Sequence, residues 1–397
     1  MFAEHSDIGS GMKGLLPVSA EFLLSTADSR DYWRTLRCSS PHEALIREII
    51  EEGERLLLEP VPESSYSLFK LFEENGNRLA FEKVYFDRRR RLTTFGLLTL
   101  LEPENEQYRD ALQDIIWSVC NEYSWCLPAH LRGSLETDGS FDSGDESVWG
   151  RKQRRTHIDL FAAETGFTLS ELLNLAGESL PPLLRSRIQE EVSLRLFRPY
   201  LQHGPYHWED AEHNWAAVCA GSIGAAALLL LEEGEKLTEI ISKALGSMEC
   251  YLKGFGEDGA CQEGIGYWNY GFGYFTYFAD LLQKRTSGRV NLFDQGKVHQ
   301  IALFQQKSYL TGDLTVNFSD SSQYTRVHLG LSHYLSQLYP DVAPAPAELR
   351  APFTEDHCAR FAPALRNLIW AQPAQEVPHG GRLTIISIML SGLYPGT

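Results

Sequence analysis

The run YHWEDAEHNWAAVCAGSIGAAALLLL at residues 206–231, together with GFGEDGACQEGIGYWNYGFGYFTYFADLL at 254–282, decides how this chain is read. Three helices are legible across it. The first starts after the acidic cluster Glu209, Asp210, Glu212 and carries Trp215, Val218, Cys219 and a long Ala/Leu run. The second spans roughly Lys236 to Leu252, with Leu237, Ile240, Ile241, Ala244, Leu245, Met248 and Leu252 at helical spacing. Gly254 and Gly256 stop it. The third opens after Gly264-Ile265-Gly266, with Tyr267, Trp268, Asn269 and Tyr270.

If consecutive helices run antiparallel, the first and third are parallel, and their N-termini share one end of the molecule. That brings His213 and Asn214 near Tyr267, 54 positions away along the chain. Free N–H groups and a partial positive charge at such helix starts suit a carboxylate.

HNWAAVC followed by DGACQEGIGYWNYG resembles the heparinase II/III-like polysaccharide lyases, which include oligoalginate lyases. The likeness runs from about Tyr85 to Leu338 and takes in NEYSWCLPAH at 121–130 and HIDLFAAETG at 157–166. It implies an all-α fold, an incomplete (α/α) toroid of antiparallel helix hairpins over residues 1–340. It also implies a linker and the start of a truncated β-rich domain over 341–397. Pattern alone gives a large all-α protein, with GRLTIISIML at 381–390 as the one convincing strand.

The resemblance implies β-elimination on a uronic-acid-containing poly- or oligosaccharide. The C5 proton must leave, the O4 leaving group must be protonated, and charge building on the carboxylate must be stabilised. Tyrosine can do either proton job if its ordinary pKa of about 10 is brought down. Neutral histidine or asparagine can donate to the carboxylate. Tyr267 is implied as the proton-transfer residue, with His213 and Asn214 near the carboxylate; Tyr270, one turn on, competes with Tyr267. Glu263 orients a sugar hydroxyl or caps the helix that follows. Trp125, His130 and His157 fall on the same rim, Trp125 as a stacking face and His130 as a sugar contact, while His157 and Asp159 are as readily structural. The family also draws a histidine from its later part, and no residue matches it; His328 and His333 read as surface or core residues.

Composition narrows the partners. A formal charge of −17 excludes nucleic acid and membrane surfaces as general partners and sits awkwardly with a polyanion. Arg88–Arg91 reads as a solvated face, and Arg151, Lys152, Arg154 and Arg155 as a candidate electropositive lip beside His157. The seven cysteines have no metal-ligand spacing, so no metal and no cofactor is expected, and buried free thiols point to a reducing compartment. The N-terminus lacks a signal-peptide pattern, and Ala225–Leu231 is too short to span a bilayer, which makes a cytoplasmic protein the expectation. Two other readings stand beside the lyase. One is a glycoside hydrolase with Asp210, Glu212, Glu263 and Asp258 as candidate carboxyl groups; the other is a non-catalytic carbohydrate-binding domain.

Overall fold

The computed structural model describes residues 9–18, 23–24, 29–131 and 157–372. The loop at 132–150, the basic run at 151–155 and the strand expected at 381–390 lie outside them. Among the described residues the chain is all-α, with one small antiparallel hairpin, Tyr309–Thr311 with Leu314–Thr315.

Apolar patterning sorts the helices into two layers. Four are buried nearly all round: α2 (Leu79–Leu101), α4 (Leu160–Leu175), α6 (Asn214–Leu230) and α8 (Gly273–Arg285). Between them in sequence come helices that bury one face only: α3 (Glu106–Cys120), α5 (Pro182–Val192) and α7 (Glu235–Lys253). A helix apolar on every side has to sit inside, as α4 and α6 do, and one with a single apolar stripe has to sit on the surface; α2 is inside despite its charges, because its arginines are paired there. The packing follows: α4 lies on α6 and α6 on α8 within the inner layer, while α3, α5 and α7 cover them from outside. The N-terminal α1 (Glu43–Leu57) packs on α2.

The parallel arrangement of α6 and α8 matches the expected shared end. A Cβ on Gly271, in the π-helical turn Trp268–Phe272 that leads into α8, would stand 3.2 Å from Asn214 Cα and 2.7 Å from Tyr251 Oη. Only a bare backbone permits that approach.

The later chain joins the same core. Helix α9 (Leu329–Leu338) packs on α10 (Phe361–Ile369), and a Cβ on Gly330 would stand 2.1 Å from Arg366 O. Helix α10 sits among inner helices: it touches α2 and α4, and the Arg366 guanidinium lies 4.7 Å from the Tyr277 ring centroid on α8 and 5.4 Å from that of Phe167 on α4. Phe353, Phe361, Leu365, Leu368 and Trp370 belong to the main core. Among the described residues beyond 340, Phe361–Ile369 is a helix, and it joins the main core.

Arg88–Arg91 are a correction. They are buried, not a solvated face. Arg88 and Arg89 clasp the buried Glu122 carboxylate, Arg90 donates to the carbonyls of Phe353 and Asp356, and Arg91 donates to those of Leu56 and Pro60. Each guanidinium has acceptors among its neighbours, the condition for burying it, although Arg91 Nε is left without one.

Candidate active site

A cavity of about 290 Å³ opens among α8, the segment before α9 and the turn before α10. One wall, formed by the π-helical turn and α8, is a ladder of Tyr270, Tyr274 and Tyr277, at successive turns of one helix face. Adjacent rings meet edge to face, with centroids 5.6 and 5.4 Å apart. Facing them are His328, Asp356, His357 and Arg360, with Arg326 and Glu355 beside them.

Arg360 is the electrostatic centre. Its Nε donates to Glu164 Oε1 at 3.1 Å and its Nη1 to Asp356 Oδ1 at 2.9 Å. Its guanidinium carbon lies 4.1 Å from the Tyr270 ring centroid, and Tyr270 Oη donates to Glu164. Nη2 has no hydrogen-bond partner among the described residues, so one edge of the guanidinium remains for a ligand. The two carboxyl groups on Arg360 differ in acidity. Burial pushes the Glu164 carboxyl above the usual range, against the pull of Arg360. Burial acts on Asp356 in the same direction, but there Arg360 and backbone N–H groups outweigh it and hold the carboxyl below its ordinary value. His328 is pushed down by burial, against the pull of Asp356, so its imidazole is neutral near pH 7. Its buried Nδ1 has no partner.

Of the residues expected from the sequence, Tyr270 alone lines this cavity. Tyr267, half-buried, lies in the turn before Tyr270 and feels the Arg360 charge. Its phenol is raised by burial and then by Asp320 and Glu263, the opposite of what a phenolate base needs. It is held as a proton donor.

At the start of α6 the exposed His213 is the N-cap: its Nδ1 accepts the Trp215 N–H at 3.4 Å, which leaves the ring proton on Nε2. Asn214 is not free for a substrate carboxylate. Its Nδ2 donates to both Glu263 oxygens, at 2.9 and 3.0 Å, and its backbone N–H donates to Glu263 Oε2 at 3.3 Å. Glu263 therefore occupies the carboxylate position offered by the α6 N-terminus, and it caps α6 instead of the helix that follows it.

Trp125 is the plainest correction: it is 1% exposed, its Nε1 donates to Val119 O, and Arg195 lies over its ring. No sugar reaches it. The half-exposed indole on this rim is Trp215, with the His130 ring 5.2 Å and the His207 ring 5.4 Å away. His130 Nδ1 bonds the fully buried Asp159 at 2.7 Å, and Asp159 also accepts the Leu127 and Ala162 N–H groups. An ionised Asp159 puts the His130 proton on Nδ1 and a lone pair on Nε2, the reverse of His213. His157 is half-buried against Tyr206. His333 is a core residue, bonded to Ala345 O and Gln372 N, whereas His328 lines the cavity. The hydrolase candidates Asp210, Glu212 and Asp258 are exposed and line no part of it.

The residues that sequence reasoning missed are Glu164, Asp356, His357 and Arg360. Aspartate, histidine and cysteine donor atoms at 356–358 lie within 4.8 Å of one another, the only group with metal-ligand geometry among the described residues, but Asp356 is already taken by Arg360 and by the Cys358 and Arg360 N–H groups. Among the described residues no helix is long and apolar enough to cross a membrane, and all seven cysteines are free thiols. Compared with known proteins, the chain matches no protein-family model and no curated protein sequence.

Proposed function

We propose that the protein is a lyase cleaving an acidic, uronic-acid-containing poly- or oligosaccharide by β-elimination in the tyrosine-walled cavity. The observation that carries this reading is one cavity holding an aromatic ladder, a guanidinium with a free edge and a neutral imidazole. Tyrosine faces grip sugar rings, and a guanidinium edge is shaped for a carboxylate. In this scheme Arg360 receives the substrate carboxylate, the role first given to Asn214, and stabilises charge there as C5 loses its proton. His328 takes that proton as a neutral base. The C5–H electrons form the C4=C5 double bond, the C4–O4 bond breaks, and Tyr267 protonates the departing O4. His213, through its Nε2–H, and His130, through Nε2, contact sugar hydroxyls at the rim. The free thiols favour a reducing compartment and hence the cytoplasm.

One observation favours a second reading. Glu164 and Asp356 flank Arg360 with acidities pushed apart, the condition for an acid and a base in glycoside hydrolysis. Incubation with alginate, heparosan, hyaluronan and chondroitin oligosaccharides separates the two. The lyase gives an ultraviolet-absorbing unsaturated end, and Tyr267→Phe lowers that rate about 100-fold or more. New reducing ends without the absorbance select the hydrolase, and an unchanged Tyr267→Phe rate removes Tyr267 from the mechanism.

A further inference from the structure

Among the described residues lining the cavity, no arginine is without a carboxylate partner. Its two cations are both spoken for: Arg360 by Glu164 and Asp356, and Arg326 by Glu355 at 3.6 Å. Two cations thus answer the two carboxylates that line the cavity, Glu355 and Asp356, with the buried Glu164 as a second partner of Arg360, and His328 adds nothing near pH 7 because its burial keeps it neutral. Sulfate-binding surfaces work differently. A sulfated glycan carries several charges per disaccharide and needs several unpaired Lys or Arg groups to displace its counterions. Among the described arginines that line it, this cavity offers the free Nη2 edge of Arg360, and that edge is enough for one planar carboxylate.

From this, and resting on the lyase reading, we infer that the site selects unsulfated uronate chains and rejects their sulfated counterparts. Arg360 reads the single carboxylate, and the Glu355 and Asp356 carboxylates exclude further anions. Glu355 is the residue to test, because its side chain and that of Arg326 are both about half exposed and neither supports the core. In Glu355→Gln, Arg326 loses its partner and the cavity gains one free cation.

The experiment compares matched pairs, chondroitin against chondroitin sulfate and heparosan against heparan sulfate. Binding is measured by calorimetry on the Tyr267→Phe protein and cleavage on the wild type. The expected result is binding of the unsulfated member about tenfold or more tighter, from one unscreened like-charge contact. Adding Glu355→Gln to the Tyr267→Phe protein should raise affinity for the sulfated member severalfold and leave the unsulfated one within twofold. Equal or tighter binding of the sulfated member, no response to Glu355→Gln, or no binding of any unsulfated chain overturns the inference. Selective binding of unsulfated chains without an unsaturated product upholds it and overturns the lyase reading alone.

Discussion

Replacing Glu122 by glutamine tests whether the four consecutive arginines are structural. Glu122 Oε1 accepts Arg88 Nε at 2.7 Å and Arg89 Nη1 at 2.9 Å, and Oε2 accepts Arg89 Nη2 at 2.8 Å. All three side chains are under 9% exposed, and Arg89 also lies 3.9 Å from the Tyr85 ring centroid. The glutamine keeps the shape but removes the charge, leaving two guanidinium groups buried with a neutral partner. Breaking a buried pair in this way costs about 3–5 kcal/mol. With a urea m-value on the order of 3 kcal/mol/M, the unfolding midpoint should fall by about 1–1.7 M. The pH dependence gives a second reading. Burial acts to raise the Glu122 carboxyl, but Arg89 and Arg88 outweigh it and hold it below its ordinary value. Its contribution is therefore complete above the unfolded-state pKa of about 4.3 and is lost as pH falls through the depressed folded value. The gap between wild type and Glu122→Gln should be widest near pH 7 and shrink on acidification below about pH 4. A midpoint within about 0.2 M of wild type at pH 7, or a gap that does not narrow in acid, would refute the argument.

The two tryptophans of the rim should behave oppositely. Trp215→Ala should weaken oligosaccharide binding about tenfold with thermal stability unchanged, while Trp125→Ala should destabilise the fold by about 3–5 kcal/mol; calorimetry and denaturant melts on both variants check this, and equal stability losses would contradict it. Burial depresses His328, so cleavage should stay constant as pH falls to the ordinary histidine value of about 6.5 and decline only below it, absent other titrations. A pH–rate profile whose acid limb sits at or above that value, or one unaltered in His328→Gln, argues against His328 as the base.

Much of the scaffold was legible because periodicity reports burial. The inner helix α6 and outer helix α7 start and stop within a residue or two of where their apolar spacing and glycines put them. The shared N-terminal end of α6 and α8 followed from hairpin alternation and is seen at Gly271 against Asn214. Charged residues defeated the same logic. Arg88–Arg91 hid the first half of α2, because a run of arginines reads as surface until carbonyl acceptors such as Leu56 O and Phe353 O are placed around it. Trp125 and His130 lie five residues apart, yet one is core and the other rim, a distinction that only the turn at 121–130 makes. The Arg360 centre was missed because its partners come from positions nearly 200 residues apart. A signal was present all the same. Glu164 and Glu171 lie seven apart, two helical turns, inside the apolar run of α4, and Arg360 and Arg366 lie six apart in the stretch 358–370, where Asn367 is the one other polar residue. Unpaired charges do not persist in such places, so each set asked for the other.

Those two ion pairs also explain why the cavity exists at all. Arg360 meets Glu164 near the N-terminal end of α4, and Arg366 meets Glu171 two turns deeper, so the segment carrying α10 is latched to α4 at two depths. The deeper pair is dry: Glu171 is fully buried, and burial pushes its carboxyl up to about 7 against the pull of Arg366. Tyr277 belongs to both levels, lining the cavity and lying under the Arg366 guanidinium. Arg366 with Tyr277 therefore forms a floor, and Arg360 with Tyr270 forms the wall above it. An arc of inner helices alone would leave an open groove there. The segment from Asp356 to Ile369 turns it into a bounded cavity and supplies Asp356, His357 and Arg360. A fragment ending at residue 340 would keep Tyr267, His213, the tyrosine ladder and Arg326 but lose Arg360, the guanidinium held against the Tyr270 ring, together with Asp356 and His357.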